Sequence, residues 1–457
     1  MSKAVWLIAA AVIAQTALAT PIANQPTAAL IKPQYCESIS IARREAPPLP
    51  STRIGIMADR HEALTEALLG WQRTGIPLIA FDGQRFLPAG CSDDIGIYYS
   101  VPMLSKSLRI SLSDAIDLFF ADIVLVSAVL GAIGLFMVCR TPIGKILAIT
   151  VVLLVSLFAL KIGDVYTIQS SAVLGFVPWV LFFATKANHW SIVLFVFLSA
   201  AALGTADLIR SHAGTAVLIF MALVFAFQLQ AKGYFKFLLA TAAVLGLLIP
   251  LGYSRKLLVQ RDTYLRDHGY TSVVGLGQHG FWHVVYLGLG YVNNDVVPGY
   301  RDEFAAAKVR EMAPNVLYAS PEYDDYLKHE VIHIVLQHPS LVLENIAAKM
   351  GVILCLIIFC ANLGLLATFY YPKRWPTEVG FWSAIAFESM IGFVAIPAKA
   401  YLLGLIAFTV LYGLISVDEA LEQGVLNRVL GSDSEAPIPT NGLTSRPSID
   451  VSNALVK

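Results

Sequence analysis

The chain has 457 residues, of which 57% are hydrophobic and 14% are charged. An average soluble domain has about 45–50% apolar and about 25% charged residues. The composition therefore excludes a soluble globular enzyme and a disordered chain. The 32 basic residues balance the 32 acidic ones, which excludes a nucleic-acid binder. The composition predicts a polytopic membrane protein.

Apolar runs predict an all-α membrane protein with about ten transmembrane helices. A helix needs about 20 mostly apolar residues to cover ~30 Å of hydrocarbon, and an open sheet in lipid would leave backbone groups unsatisfied. Ten segments meet or approach this requirement. They are residues 4–19, 117–138, 146–162, 172–185, 190–208, 214–230, 237–253, 350–370, 379–397 and 400–416.

The basic residues between these spans predict the orientation. Connections rich in Lys and Arg stay in the cytoplasm. With ten spans, one side collects Lys3, Arg140, Lys145, Lys186, Lys232, Lys236, Lys373 and Arg374. We therefore expect a bacterial inner-membrane protein with both termini in the cytoplasm and two large periplasmic segments.

The predicted spans divide the chain into six parts. Their bounds are 1–20 for the first span, 21–116 for the first periplasmic segment, 117–253 for spans two to seven, 254–349 for the second periplasmic segment, 350–416 for spans eight to ten, and 417–457 for a polar, disordered tail. The first part has two interpretations. An uncleaved anchor is favoured, whereas Ala17-Leu18-Ala19 also fits a signal-peptide cleavage site, which would leave nine spans.

The first periplasmic segment has two local patterns. Leu64, Leu68 and Trp71 share one face of a helix over 61–73. Asp82-Gly83 then lies between two apolar runs and predicts a hairpin turn.

Two of the five cysteines lie in this segment. The periplasm permits disulfides, so Cys36 and Cys91 are candidates for a bridge, with two unpaired thiols as the alternative. Cys139, Cys355 and Cys360 lie in or at the ends of spans and are interpreted as packed apolar residues.

Carboxylates near the outer membrane face are the catalytic candidates. Asp93 and Asp94 could act as a general base or hold a divalent cation, and their alternative is an Asx turn or helix cap. Asp164, in the short loop after the third span, could assist in the same site. An ion pair with Lys161 is the alternative for Asp164.

Four cationic or titratable residues lie at outer helix ends, against the orientation rule. Arg210 and His212 close the fifth span, and Arg255 and Lys256 close the seventh. Arginine makes paired hydrogen bonds to phosphate oxygens, so these residues are candidates for binding a lipid-linked phosphate. The alternative is ordinary snorkelling of helix-end side chains to phospholipid head groups.

The second periplasmic segment contains a run rich in aromatic, histidine and amide side chains. Such groups suit sugars, which offer flat CH faces and many hydroxyls. The candidates for substrate binding are His279, Trp282, His283, Tyr286 and Asn293. The alternative is an aromatic belt in the head-group zone.

A zinc motif is also present. His329, Glu330 and His333 fit H-E-x-x-H, which on a helix stacks two histidines on one face. An amphipathic surface helix that breaks near Pro339 is the favoured interpretation, since no third ligand stands out.

The first-loop acidic pair and its neighbours carry a family resemblance. Asp93-Asp94 precedes Tyr98-Tyr99-x-x-Pro102, and two large outer segments flank short-looped spans. This architecture, over 1–416, resembles the GT-C membrane glycosyltransferases. Residues 279–294 and 338–350 further resemble a group of bacterial membrane proteins placed near that class.

The resemblance implies a polyprenyl-phosphate-sugar donor and an envelope lipid, glycan or protein acceptor. Asp93 or Asp94 would activate the acceptor hydroxyl, with Asp164 as a second acidic residue. The implied partners are these substrates and membrane lipids, not nucleic acid. No cofactor is fixed, and a divalent cation (Mg²⁺ or Mn²⁺) stays open.

Three other functions stay open. The first is a transporter or flippase for a lipid-linked or anionic substrate, which Glu388 in the ninth span favours. No internal repeat supports that interpretation. The second is a zinc peptidase that uses His329, Glu330 and His333. The third is a non-catalytic subunit of an envelope polysaccharide machine.

Overall fold

The computed structural model describes residues 58–90, 94–186, 188–229, 233–269, 280–316, 318–370 and 375–424. Within these ranges the chain forms fifteen helices and one antiparallel two-stranded sheet. The predicted first span, Cys36, Cys91, Asp93, His279 and the predicted tail from 425 onward lie outside the described residues.

The elements before the bundle are α1 (Ala58–Thr74), β1 (Ile79–Phe81), β2 (Phe86–Pro88) and α2 (Ile95–Leu108). The next six helices are α3 (Leu112–Val138), α4 (Pro142–Ile162), α5 (Thr167–Lys186), α6 (His189–Ile209), α7 (Thr215–Gln228) and α8 (Gly233–Asp267). The last seven are α9 (Phe281–Leu289), α10 (Asp302–Met312), α11 (Pro321–Gln337), α12 (Pro339–Ala361), α13 (Leu363–Tyr370), α14 (Trp375–Val394) and α15 (Leu403–Glu422).

The first unit comprises α1, the β1–β2 hairpin and α2. Both of its predicted patterns are confirmed. Leu64 is fully buried on α1, and Ile79 pairs with Pro88 across the hairpin. The turn forms because Asp82 Oδ1 accepts hydrogen bonds from the backbone amides of Gln84 and Arg85, and because Gly83 takes a φ of 96°.

The helix bundle is that of a multi-pass membrane protein. Seven described helices are long and apolar enough to cross a membrane: α3, α4, α5, α6, α8, α12 and α15. Helix α7 is apolar but has only 14 residues, and α14 carries Glu378 and Glu388. The count of ten spans and the periplasmic placement of the segments stay predictions. The predicted start of the disordered tail at 417 is wrong, because α15 continues to Glu422 with Asp418 and Ala420 buried.

Two predicted boundaries of the second segment differ from the helices in the structure. Helix α8 continues from the predicted span end at 253 to Asp267, because Ser254, Leu257, Arg261 and Leu265 recur on one buried face. Helix α12 begins eleven residues before the predicted eighth span. Pro339 starts it at the first helical position, which a helix tolerates well.

The second unit comprises α9, α10 and α11. Its core contains Tyr286, Val309, Tyr323 and Leu327. Asn345 of α12 joins this unit to the bundle: its Nδ2 donates to Leu289 O (3.0 Å) and its Oδ1 accepts from Val292 N (3.3 Å).

The centre of the bundle is occupied by α5 and α15. Both bury most of their apolar length, whereas α3, α4 and α12 leave most of theirs exposed for lipid. Phe408 and Tyr412 of α15 lie in the apolar core, with Phe220 of α7 and Phe381 of α14 packed around them.

The two ends of the bundle are defined by different contacts. At the lower end, Asp418 of α15 accepts hydrogen bonds from Arg140 N (2.9 Å), Thr141 N (3.1 Å) and Thr141 Oγ1 (2.6 Å). At the upper end, the first unit packs on the turns that follow α4 and α6, through Val165, Ile209 and Ala213.

Candidate functional site

The first unit is seated on the bundle by a close backbone contact. A Cβ at Gly96 would lie 2.5 Å from the carbonyl oxygen of Leu208, so only glycine lets α2 approach the end of α6 this closely. The contact brings the residue before α2 next to the turn at 210–214.

Asp94 is the buried carboxylate at this junction. It lies at the N-cap position of α2 but does not cap that helix. Its oxygens accept hydrogen bonds from Ser211 N (2.8 Å) and Ser211 Oγ (2.5 Å) instead, and the residue is 3% exposed. Asp94 is therefore not a helix cap. Its hydrogen bonds to Ser211, which is distant in sequence, hold the first unit on the bundle.

Arg210 lies beside this carboxylate between two aromatic rings. Its guanidinium approaches Asp94 Oδ2 to 3.7 Å. Its central carbon lies 4.5 Å from the ring centre of Tyr166 and 5.9 Å from that of Tyr401. Cation–π contact with the two rings fixes the guanidinium in place. Nε of Arg210 is buried and has no hydrogen-bond partner within the described ranges.

Tyr166 is a buried neutral phenol at this site. Burial raises its pKa above the ordinary range, and the charge of Arg210 opposes this only in part. Tyr166 and Tyr401 meet edge to face, with ring centres 4.8 Å apart. The two aromatic rings pack against the guanidinium of Arg210.

Asp164 is paired with Arg60 rather than with Lys161. Arg60 NH1 donates to both oxygens, at 2.6 and 2.7 Å, and Val165 N donates a third hydrogen bond at 2.7 Å. The Lys161 alternative is wrong, because Lys161 is exposed while Asp164 is buried and turned toward α1. This pair ties the first unit to the α4–α5 turn.

The other predicted phosphate-binding residues lie at the same end. His212 is exposed, with a φ of 68°, and its ring faces that of Phe387. Arg255 and Lys256 are exposed on α8, just beyond Tyr253, whose hydroxyl is hydrogen-bonded to that of Tyr99 on α2. The snorkelling alternative therefore stays open for Arg255 and Lys256.

Two of the predicted sugar-binding residues are buried inside the second unit. His283 is 1% exposed, with Nδ1 3.0 Å from the Tyr323 hydroxyl and Nε2 3.3 Å from Asp302 Oδ1. Tyr286 is 2% exposed. Both side chains are buried in the core of the unit, which argues against their predicted role as substrate-binding residues. Among the four of these residues that the structure describes, Trp282 is half-buried and Asn293 is exposed, so these two stay available to a ligand.

The H-E-x-x-H residues do not converge on a metal site. His329 and His333 are exposed on α11, while Glu330 is paired with Lys308 at 3.1 Å. Within the described ranges, no group of three or more His, Cys, Asp or Glu side chains is arranged to hold a metal ion. The amphipathic-helix interpretation, with its break between Gln337 and Pro339, agrees with the observed helices.

Four residues of this site carry no functional prediction from the sequence. Ser211 and Tyr166 lie within two residues of the predicted Arg210 and Asp164, so the sequence could have indicated them as neighbours of the site. No local pattern points to Arg60 or Tyr401, because each reaches the site from a distant helix end.

Comparison of the chain with protein-family models, with curated proteins and with solved structures finds no match. The functional argument therefore rests on the chain's own residues. The resemblance to GT-C enzymes stays a proposal.

Proposed function

We propose that the chain is an integral membrane glycosyltransferase that moves a sugar from a polyprenyl phosphate to an envelope lipid, glycan or protein. The transfer would occur on the periplasmic side of a bacterial inner membrane. The observation that carries the proposal is the pair of Asp94 and Arg210, 3.7 Å apart at the upper end of the bundle. A general base and a fixed cation are the two groups that this transfer needs.

Arg210 suits the phosphate of the donor. A phosphate leaving group is already an anion with low proton affinity, so it needs positive charge more than a proton. Arginine offers several N–H groups in one plane to phosphate oxygens. The unpartnered Nε and the two supporting tyrosine rings fit such a role.

Asp94 suits the acceptor hydroxyl. Its carboxylate would take the hydroxyl proton as the new bond forms, and attack opposite the phosphate would invert the anomeric carbon. A donor phosphate at Arg210 would compete with Asp94 for the guanidinium. Donor binding would thereby free one side of the carboxylate for the acceptor. Asp93, the alternative base, lies outside the described residues, and Asp164 is engaged by Arg60.

The test is lipid and glycan mass spectrometry on cells that lack the protein. A polyprenyl-phosphate sugar should accumulate, and an envelope glycan should lose one residue type. Wild type should restore the glycan, whereas Asp94→Asn should cost about 100- to 10,000-fold in rate. Asp114→Asn is the matched control, because Asp114 is exposed at the same end and is hydrogen-bonded to Ser111 in the first turn of its own helix. Full restoration by both Asp93→Asn and Asp94→Asn at normal expression would refute the proposal.

A transporter or flippase for a lipid-linked or anionic substrate is the second candidate. Glu388 favours it, because ionisable residues inside apolar helices commonly mark transport pathways. Proteoliposome flux of a lipid-linked sugar would separate the two functions. Flux that survives Asp94→Asn would support transport rather than transfer.

A further inference from the structure

Glu388 of α14 is the most completely isolated carboxyl group in the described part of the chain. It is 0% exposed, and neither Oε1 nor Oε2 has a hydrogen-bond partner among the residues that the structure describes. An ionised carboxylate in such surroundings costs many kcal/mol, and a buried carboxyl group without partners takes up a proton instead.

The neighbouring backbone is fitted closely to this side chain. A Cβ at Gly404 of α15 would lie 2.3 Å from Oε2, so the backbone of α15 lies directly against the carboxyl group. Glycine is needed there for space. A neutral acid fits this contact, since no donor or cation replaces the water that a charged group would lose.

The charged groups around Glu388 belong to several elements. Asp207 of α6 lies near enough to act on it electrostatically. His212 faces Phe387, and Lys349 of α12 donates to Phe393 O at 2.9 Å. Helix α7 has no charged residue, and α9 offers only the buried His283, which is held by Tyr323. The acidic residues of α15 lie at the lower end, where Asp418 binds the α3–α4 turn.

We propose that Glu388 is a reversible proton-binding site within the bundle. Asp207, in the last turn of α6, is half-buried and accepts hydrogen bonds from Gly214 N (2.6 Å) and Thr215 Oγ1 (3.3 Å), so it lies against the turn that contains Arg210. A proton fits better than a metal ion, because the described residues hold no cluster of three metal-binding side chains. The site is independent of the glycosyltransferase proposal.

Release of the proton has a structural consequence. The carboxylate would be repelled by Asp207 and would need water, so the contact between α14 and Gly404 would loosen. Phe387, next to Glu388 in sequence, faces His212 in the turn that holds Asp94.

Infrared spectroscopy of the full chain in nanodiscs tests this site. A carboxylic-acid carbonyl band should persist above about pH 5, where ordinary carboxyl groups are ionised, and should disappear as pH rises toward about pH 10. Glu388→Gln should remove the band throughout that range. Asp207→Asn should move its disappearance to lower pH, because a neighbouring negative charge is gone.

Glu378→Gln is the matched control. Glu378 lies on the same helix but accepts hydrogen bonds from Trp382 Nε1 (3.2 Å) and Tyr412 OH (3.1 Å), so its removal should leave the band unchanged. A band that Glu388→Gln does not remove, or one that persists at all pH values, would overturn the proposal.

A second measurement covers the case in which Glu388→Gln fails to fold. Dicyclohexylcarbodiimide adds to protonated carboxyl groups in apolar surroundings, and mass spectrometry of the wild-type protein would locate the adduct. Glu388 should react and Glu378 should not, and the reaction should slow as pH rises. Reaction at Glu378 alone would overturn the proposal.

Discussion

Breaking the Arg60–Asp164 pair should release the first unit from the bundle. The two side chains are 10% and 7% exposed, and one guanidinium nitrogen bonds both carboxylate oxygens. Removing one partner of such a buried pair costs about 3–5 kcal/mol, because the other charge stays buried and unpaired. Arg60→Ala should therefore raise the open population by between about 100-fold and a few thousand-fold, at about tenfold per 1.4 kcal/mol.

Limited proteolysis with thermolysin measures this opening, since cleavage tracks the open population when reclosing is fast. Adding Asp164→Asn to Arg60→Ala should restore much of the protection, because no buried charge is left unpaired. Arg60→Lys should lie between Arg60→Ala and wild type, since lysine lacks the planar fork of arginine. Arg85→Ala is the control. Its pair with Asp82 is exposed and is worth less than about 1 kcal/mol.

Two results would refute this reasoning. One is an Arg60→Ala cleavage rate within about threefold of wild type, which corresponds to less than about 1 kcal/mol. The other is a double variant whose loss equals the sum of the two single losses, because groups in direct contact should show a coupling energy of about 0.5–3 kcal/mol.

Three further predictions concern other contacts of the first unit and the lower end. Gly96→Ala should lower thermal stability in detergent and increase cleavage of the first unit, because a Cβ would lie 2.5 Å from Leu208 O. Gly233→Ala is the control, because a Cβ at Gly233 would meet no atom within 4 Å. Gly75→Ala is not a suitable control, because Gly75 has a positive φ. Burial lowers the pKa of His61 below 6.5, and in the described part of the chain its buried Nδ1 has no hydrogen-bond partner. The neutral form therefore stabilises docking above about pH 6.5, this stabilisation should be lost as pH falls through the lowered pKa, and His61→Gln should flatten that dependence in a proteolysis–pH series. Asp418→Ala should reduce the free energy of unfolding by roughly 2–4 kcal/mol through the loss of three hydrogen bonds to a buried carboxylate, whereas Glu422→Ala, in an exposed pair, should cost less than about 1 kcal/mol in the same denaturation assay.

Local chemistry made part of the fold predictable. Asp82-Gly83 specifies its turn from two residues, and the spacing of Leu64 and Trp71 specifies α1. Apolar composition likewise predicts most of the bundle helices. These features depend on neighbours in the chain, so the sequence contains the information directly.

The start of α12 was predicted wrongly because polar residues in its first turns form hydrogen bonds with residues that are distant in sequence. Asn345 and Lys349 interrupt the apolar run at the start of α12, which moves the predicted span to 350. In the fold, Asn345 bonds to Leu289 and Val292, and Lys349 bonds to Phe393. A hydropathy pattern cannot include those partners.

The candidate site was predictable only in part. Asp94 and Arg210 stand out as charges near the membrane face, and the structure brings them together. Their surroundings do not stand out, because Ser211 and Arg60 meet their aspartates across 117 and 104 positions of sequence. His283 and Tyr286 look like ligand contacts in a local pattern, yet both are buried, and Tyr286 belongs to the apolar core of the second unit.

The central position of α15 affects how the protein is made. Helix α5 precedes it by more than 200 residues in the chain, yet the two helices pack together in the middle of the bundle. The face of α5 that α15 covers therefore has no partner until α15 has been synthesised. We expect a chain that ends before Leu403 to leave this face of α5 open and to be degraded by membrane quality-control proteases.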